Sequence, residues 1–205
     1  MRICCHVPLS DRDGAALGVT VTERIAVVGG GIAGASAAYF LAEAARDCEV
    51  VLLEAEDQLA MHTTGRSAAL LLENDGTRSI RSLVRASVEF LRGPPEELAD
   101  VRVVVPREVM HVGDRDQSGS IDRLLAENAS GVIPTIEISA DEARSRFPAL
   151  RLEAVDRVAL DTGAADIDVH GLHQAYLRGL RRAGGRVATS HRVDAAVSDG
   201  DGWRL

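Results

Sequence analysis
Arg24-Ile25-Ala26-Val27-Val28-Gly29-Gly30-Gly31-Ile32-Ala33-Gly34 decides the fold. Ile25 to Val28 is continuously apolar and runs straight into glycine, the pattern of a short parallel strand buried on both faces. The alanine-rich stretch from about Gly31 to Ala45 carries Leu41 and strong helix formers, and Arg46-Asp47 marks its exit. From Glu49 to Leu53 the chain is strand-like again, with Val50-Val51-Leu52-Leu53 flanked by acids. Strand, glycine turn, helix and strand within about 30 residues make a parallel crossover unit.

The glycines satisfy GxGxxG, and each has a mechanical task. Gly29 permits the tight turn out of the strand, Gly31 lets the backbone approach a pyrophosphate, and Gly34 lets helix and strand pack closely. At Ile32 and Ala33 the helix opens, offering N–H groups and a positive dipole end to phosphates. Glu54, 20 residues after Gly34 and followed by Ala55, stands at the end of the second strand. A carboxylate there accepts hydrogen bonds from both ribose hydroxyls and repels a 2′-phosphate, which favours FAD or NAD over NADP. The plainer alternative is a glycine-rich sheet turn beside a solvated acid. The loop and the acid, each weak alone, support each other against it.

A chain of 205 residues holds one large domain or one and a half ordinary ones, and its composition is that of a soluble globular protein. Its net charge of -8, from 31 acidic and 23 basic side chains without a basic cluster, argues against nucleic acid as a partner. Cys4, Cys5 and Cys48 show no metal-ligand spacing, which suits a reducing cytoplasm and no structural metal. Ile25 to Ala42 is uncharged for 18 residues, near the lower limit of a membrane span. Its four glycines and the second strand one helix later speak against a transmembrane segment. Ser10-Asp11-Arg12-Asp13 interrupts any signal-peptide core, so Met1 to about Thr22 reads as a poorly ordered extension or an over-long start.

Further along, Gln58 to Gly76 is irregular, and Ile80, Leu83, Val84, Val88 and Leu91 recur at helical spacing from about Thr77 until Gly93-Pro94-Pro95. Strand-like runs fall at Val101 to Val105, Glu108 to Val112 and about Val158 to Leu160. Ser139 to Glu142 fits a capping box opening a helix to about Arg146. Asp168 starts a longer helix ending at Gly184-Gly185, Arg186 to Ser190 returns as a strand, and Asp199 to Trp203 reads as a hairpin turn. His170 and His173, three apart on the long helix, read as a half-exposed face, because such a pair needs further ligands to make a metal site.

Met61-His62-Thr63-Thr64-Gly65-Arg66-Ser67-Ala68-Ala69-Leu70 resembles the second flavin-contacting loop of the D-amino-acid oxidase and dehydrogenase family of FAD enzymes. Gly163 to Leu180 resembles that family's helix before the strand returning to the FAD domain. The resemblance runs from about Arg24 to Leu205 and is nearest the D-arginine-dehydrogenase-like branch. It implies an α/β chain: a Rossmann-type FAD-binding domain with part of an α+β substrate domain. Residues 1–22 would be a disordered extension, 23–92 the FAD-binding part, 93–160 a partial substrate domain and 161–205 the return to the FAD-binding domain.

By the same resemblance Gly29, Gly31, Ile32, Ala33 and Gly34 would hold the pyrophosphate, and Glu54 with Ala55 the adenosine ribose. Thr63, Thr64, Arg66, Ser67 and Ala68 would run along the ribityl chain and isoalloxazine, and Val193 would offer backbone contacts to adenine. From the residues alone, Arg66 suits a phosphate or flavin oxygen or is simply a surface arginine. The implied chemistry is hydride transfer from a substrate C–H to flavin N5, the resulting imine hydrolysing to a keto acid and ammonia, with the protein supplying orientation and electrostatics. No catalytic residue is identifiable.

Two departures from the resemblance matter. Leu70 and Asp75 stand where D-arginine-type enzymes carry a histidine and a tyrosine lining the substrate pocket, so D-arginine itself is not the expected substrate. Asp100 falls where those relatives place an acid for a cationic side chain, although loop acids are commonly just solvated. Family members also continue for a comparable length, contributing the arginine that pairs with the substrate carboxylate. The sequence therefore reads as an amino-terminal half with a small-molecule amine or amino acid as the family's substrate, in a cytoplasmic setting compatible with peripheral membrane association. Three alternatives stand: an inactive FAD-binding fragment, a chain completed by a separately encoded carboxy-terminal half, and an NAD-dependent dehydrogenase, which would not need the Thr63 to Ala69 loop.

Overall fold
The computed structural model describes residues 5–6, 23–98, 102–129, 133–198, 200 and 202–205. The extension expected over Met1 to Thr22 thus lies outside the described residues except for Cys5–His6, whose backbone pairs in parallel with Trp203–Arg204. In chain order the principal elements are β1 (Glu23–Val28), α1 (Ile32–Ala44), β2 (Cys48–Leu53), β3 (Leu70–Leu71), α2 (Arg78–Arg92), β4 (Val104–Pro106) and β5 (Val109–Gly113). There follow α3 (Ser118–Asn128), β6 (Ile136–Ile138), α4 (Ala140–Arg146), β7 (Arg157–Asp161), β8 (Ala165–Ile167), α5 (Val169–Arg182) and β9 (Arg186–Ala188). They form two compact units, one from described residues of 1–68, 96–101 and 169–205, the other from those of 69–95 and 102–168.

The first unit holds the parallel sheet β9-β2-β1, with Ala26 opposite Val51 and Val51 opposite Arg186. The central strand β2 buries Val50, Val51, Leu52 and Leu53, as an apolar run covered on both faces must. Along α1 the buried residues Ala35, Ala38, Tyr39 and Ala42 recur at i, i+3, i+4 and i+7, so one stripe faces the core. Against α1 lies α5. A Cβ on Gly179 would stand 2.5 Å from the ring of Tyr39, so glycine there lets the two helix backbones approach, and the rings of Tyr39 and Tyr176 lie 5.6 Å apart. Gly184, at φ +85°, ends α5, while the N–H of Gly185 returns to the carbonyl of Leu180 at 2.9 Å. The expected terminal hairpin forms, with Val197–Ser198 antiparallel to Trp203–Arg204, although Asp199 and Asp201 lie outside the described residues.

The second unit is built from two antiparallel sheets, β3-β8-β4 and β5-β7-β6. One core cluster joins Ile138, Ala143, Val158 and Leu160 with Met110, Leu150 and Val155, and another joins Leu71, Val88 and Ala165. Arg157 on β7 forks onto Glu137 of β6 at 2.7 and 2.9 Å and also pairs with Asp122 of α3, which ties sheet to helix.

Several expectations need correction here. The helix α3 and the strand β6 had no clear sequence signal, because Ser118, Gly119 and Ser120 are poor helix formers and β6 has only three residues. Helix α3 is instead launched by an unforeseen capping box in the preceding turn, where the Asp114 carboxylate accepts from the N–H of Gln117 at 3.0 Å and the Gln117 side chain accepts from the N–H of Asp114 at 3.2 Å. At α4 only half of the expected box forms: Ser139 Oγ accepts from the N–H of Glu142 at 3.1 Å, while the Glu142 carboxylate turns to Arg146 at 3.0 Å. Helix α2 begins behind Thr77 as read, but of its periodic apolar residues only Val88 is buried, with Ile80 50% and Leu83 66% exposed. Among the described residues no helix is long and apolar enough to cross a membrane.

Leu160→Ala should cost about 2–5 kcal/mol by opening a cavity in the β7 cluster. Leu83→Ala, on the exposed face of α2, should stay within about 0.5 kcal/mol of the parent in the same urea titrations. Equal losses would mean that this face of α2 is already covered within the 205-residue chain itself.

Candidate functional site
The glycine loop leaves β1 by extending the sheet ladder one residue, the N–H of Gly29 donating to the carbonyl of Leu53 at 2.8 Å. Gly29 then turns at φ +101°, a conformation that favours glycine. Gly34 lies directly on the Gly29 carbonyl, and any Cβ at Gly34 would overlap that oxygen. Gly31 caps α1 with extended backbone and no side-chain cap, and the first turn of α1 carries no acid, so the positive helix end is left for an external anion. A Cβ on Gly31 would stand 3.1 Å from Thr64 Oγ1 and would fill the cradle a pyrophosphate needs. The residues present fit the phosphates of a dinucleotide.

Glu54 continues β2 through its own backbone, its N–H donating to the carbonyl of Ala188 at 2.9 Å. Its carboxylate folds back, accepting the N–H of Gly30 on Oε2 at 2.7 Å and that of Glu56 on Oε1 at 3.1 Å. Partial burial works to raise its pKa, but the N–H groups of Glu56, Gly30 and Ala55, with the His62 charge, outweigh it and hold the carboxyl below its ordinary value. The acid is thus fixed as an anion at the edge of the loop. Beyond β9, Ser190 donates to the carbonyl of Glu56 and His191 to that of Glu54, each at 2.7 Å, which puts the half-buried Val193 two residues past a direct bond to Glu54.

The Thr63 to Ala68 segment contains a 3₁₀ turn, Thr64–Arg66, packed against α5. Thr64 Oγ1 accepts from the N–H of Ile32 at 3.0 Å, so this turn is stitched to the first residue of α1. Thr63, Arg66, Ser67 and Ala68 stay exposed on the same segment, as do Ala33 and Ala55 elsewhere in the loop system. Ala60 and Ala69 flank the segment at φ 62° and 54°, each holding about 1–3 kcal/mol of backbone strain. The glycine loop, Glu54 and Thr64 are therefore joined by direct bonds, and Val193 by the strand ladder. Asp100 lies outside the described residues.

One residue of this site was misread from sequence. His173, expected on a half-exposed face, is only 2% exposed, and its Nε2 lies 2.9 Å from the carbonyl oxygen of Gly30. Its partner His170 is exposed. The missed signal was periodicity, since His173, Tyr176, Leu177 and Leu180 are spaced i, i+3, i+4 and i+7 and all are buried.

The second unit contains a cavity of about 450 Å³ lined by Leu70, Leu72, Asp75, Leu83, Leu91 and Ile167 among others. Leu70 and Asp75 both line it, and among the described lining residues Asp75 alone is ionisable.

Gly34→Ala should abolish FAD retention by pushing α1 off the loop, as read by flavin released on desalting. Glu54→Gln should weaken FAD binding by about ten- to a hundredfold, the range for losing hydrogen bonds to a charged group. Because folding lowers the Glu54 pKa, its contribution to stability is present above the ordinary value of 4.5 and is lost as pH falls through the folded value. Thermal melts of Glu54→Gln against pH should accordingly show a flatter acid limb than the parent.

Comparison with known proteins agrees with this geometry. The family described as FAD dependent oxidoreductase (DAO) matches residues 24–205. Glycine oxidase from Geobacillus kaustophilus superposes with a TM-score of 0.77 at 19% identity over 88% of this chain and 50% of its own. L-proline dehydrogenase from P. horikoshii gives 0.71 at 20% over 86% and 46%. L-alpha-glycerophosphate oxidase from Mycoplasma pneumoniae, solved with FAD bound, gives 0.72 at 16% over 88% and 49%. The chain spans about half the length of these structures. It shares with them an α/β fold in which a parallel Rossmann-type sheet is accompanied by antiparallel sheets. The chain belongs to the DAO family of FAD-dependent oxidoreductases, and its cofactor is FAD.

Proposed function
We propose that this protein serves the oxidation of a C–N bond in D-amino acids or related amines, its own residues holding the FAD. The observation that carries the reading is the bond from the N–H of Ile32 to Thr64 Oγ1. It joins the Thr63 to Ala68 segment to the phosphate loop, an arrangement that suits a flavin running from one to the other and that an NAD-dependent dehydrogenase would not need. When bound, FAD would supply the hydride acceptor, the substrate carbon losing a hydride and its amine nitrogen a proton to give an imine that water hydrolyses.

In this reading Glu54 accepts from the ribose hydroxyls, and the N–H groups of Gly31 and Ala33 face the pyrophosphate. Arg66 extends from its exposed turn toward phosphate or flavin oxygens, and the backbone near Val193 borders adenine. The cavity of the second unit favours an apolar amine or amino acid over a guanidinium substrate, with its leucines taking the side chain and Asp75 supplying a countercharge. The competing reading, from Asp100, is a preference for cationic side chains. The half-exposed Ile80 and Leu83 support a covering polypeptide over that face of α2, continuous with this chain or separately encoded.

The test is anaerobic bleaching of bound flavin by a panel of D- and L-amino acids and amines, on native protein whose intact mass is recorded in the same preparation. Apolar D-amino acids or amines should bleach it fastest, and D-arginine should lag. Flavin that is retained but bleached by no member of the panel would sink the catalytic reading.

A further inference from the structure
Gly30 is buried and held from both sides. Its N–H donates to Glu54 Oε2 at 2.7 Å, and its carbonyl oxygen lies 2.9 Å from His173 Nε2, on a helix 143 residues away in sequence. A carbonyl only accepts, so Nε2 carries the proton and the imidazole donates. At 2% exposure His173 has little access to water, and this bond is what its buried ring nitrogen is used for.

The carbonyl of Gly30 and the N–H of Gly31 belong to one planar trans peptide, so they point in opposite directions. Fixing the carbonyl toward α5 therefore aims the N–H of Gly31 the other way. That plane lies between two glycines, the residues for which a peptide flip meets least steric resistance. A flip would replace the Gly31 N–H by a carbonyl oxygen on the face that meets the pyrophosphate, turning a hydrogen bond into repulsion between oxygens. Resting on the FAD-binding reading of this loop, we propose that His173 is a positioning residue for the pyrophosphate: its Nε2–H latches the Gly30 carbonyl and keeps the Gly31 N–H turned toward the phosphates. The latch lies at the crossing of α5 and the loop, and its donor acts through the peptide without touching the cofactor.

The experiment compares His173→Gln, whose amide nitrogen reaches the place of Nε2, with His173→Asn, whose shorter amide does not, alongside the parent. FAD affinity is read by flavin fluorescence, and the melting temperature of the FAD-free protein by circular dichroism. His173→Asn should bind FAD about three- to tenfold more weakly, the range for one neutral hydrogen bond, and His173→Gln should recover most of that loss at a similar melting temperature. Equal affinities in the two variants would overturn the proposal, as would losses that simply follow the melting temperature. In the parent, linkage requires that FAD in turn strengthen the latch, so adding FAD should slow exchange of the His173 Nε2 proton measured by NMR on ¹⁵N-histidine-labelled protein. Unchanged exchange would also overturn it, whatever the folding of the variants. If the parent fails to bind FAD at all, the reading of the loop has failed; if it binds and these contrasts are absent, only the role of His173 has.

Discussion
Gly34 resting on the carbonyl of Gly29 is the contact from which the site follows. It brings the first turn of α1 against the end of β1 at a distance that no side chain permits, and so sets the angle at which the helix leaves the sheet. With that angle set, the helix end is directed at the space beyond the strands, where Glu54 arrives at the end of β2. The N–H of Gly30 then reaches the Glu54 carboxylate, and the N–H of Ile32 reaches Thr64. Three segments distant in sequence meet because one backbone oxygen sits where a Cβ would be.

Electrostatics then shapes what this meeting can bind. A helix end without an acid in its first turn keeps its partial positive charge for an external anion. The Glu54 carboxylate is held by backbone N–H groups beside the loop, which suits it to hydroxyls. In the proposed reading, phosphate and ribose recognition would be separated along the loop by the direction of the backbone donors.

Packing in the two units follows different rules. In the first, the apolar run of β2 is buried by parallel neighbours and helices, and small residues such as Gly179 let α1 and α5 close on one another. In the second, short antiparallel strands and a forked arginine carry the architecture, and α2 keeps much of its apolar face exposed. Helical periodicity predicts that a face will be apolar. Whether that face is covered depends on what packs against it.

The sequence alone was enough to place the crossover unit, the glycine loop between its first strand and its helix, and Glu54 at the end of its second strand, because these depend on short-range patterns: an apolar run ending in glycine, three glycines at fixed spacing, an acid at a strand end. It did not disclose α3, whose start relies on the side chains of Asp114 and Gln117 bonding each other's backbone across one turn. Nor did it show that the Ser139 box would lose its second arm to Arg146, since Glu142 can satisfy either partner and only the folded surroundings choose. His173 marks the same boundary most clearly. It was read on a half-exposed face although its spacing with Tyr176, Leu177 and Leu180 matches the buried stripe of α5, and its partner is a backbone carbonyl 143 residues earlier. Local pattern marks which residues share a face, and tertiary structure alone decides whether that face is covered and what it meets there, because a hydrogen bond between distant segments depends on both backbones being held in place by everything around them.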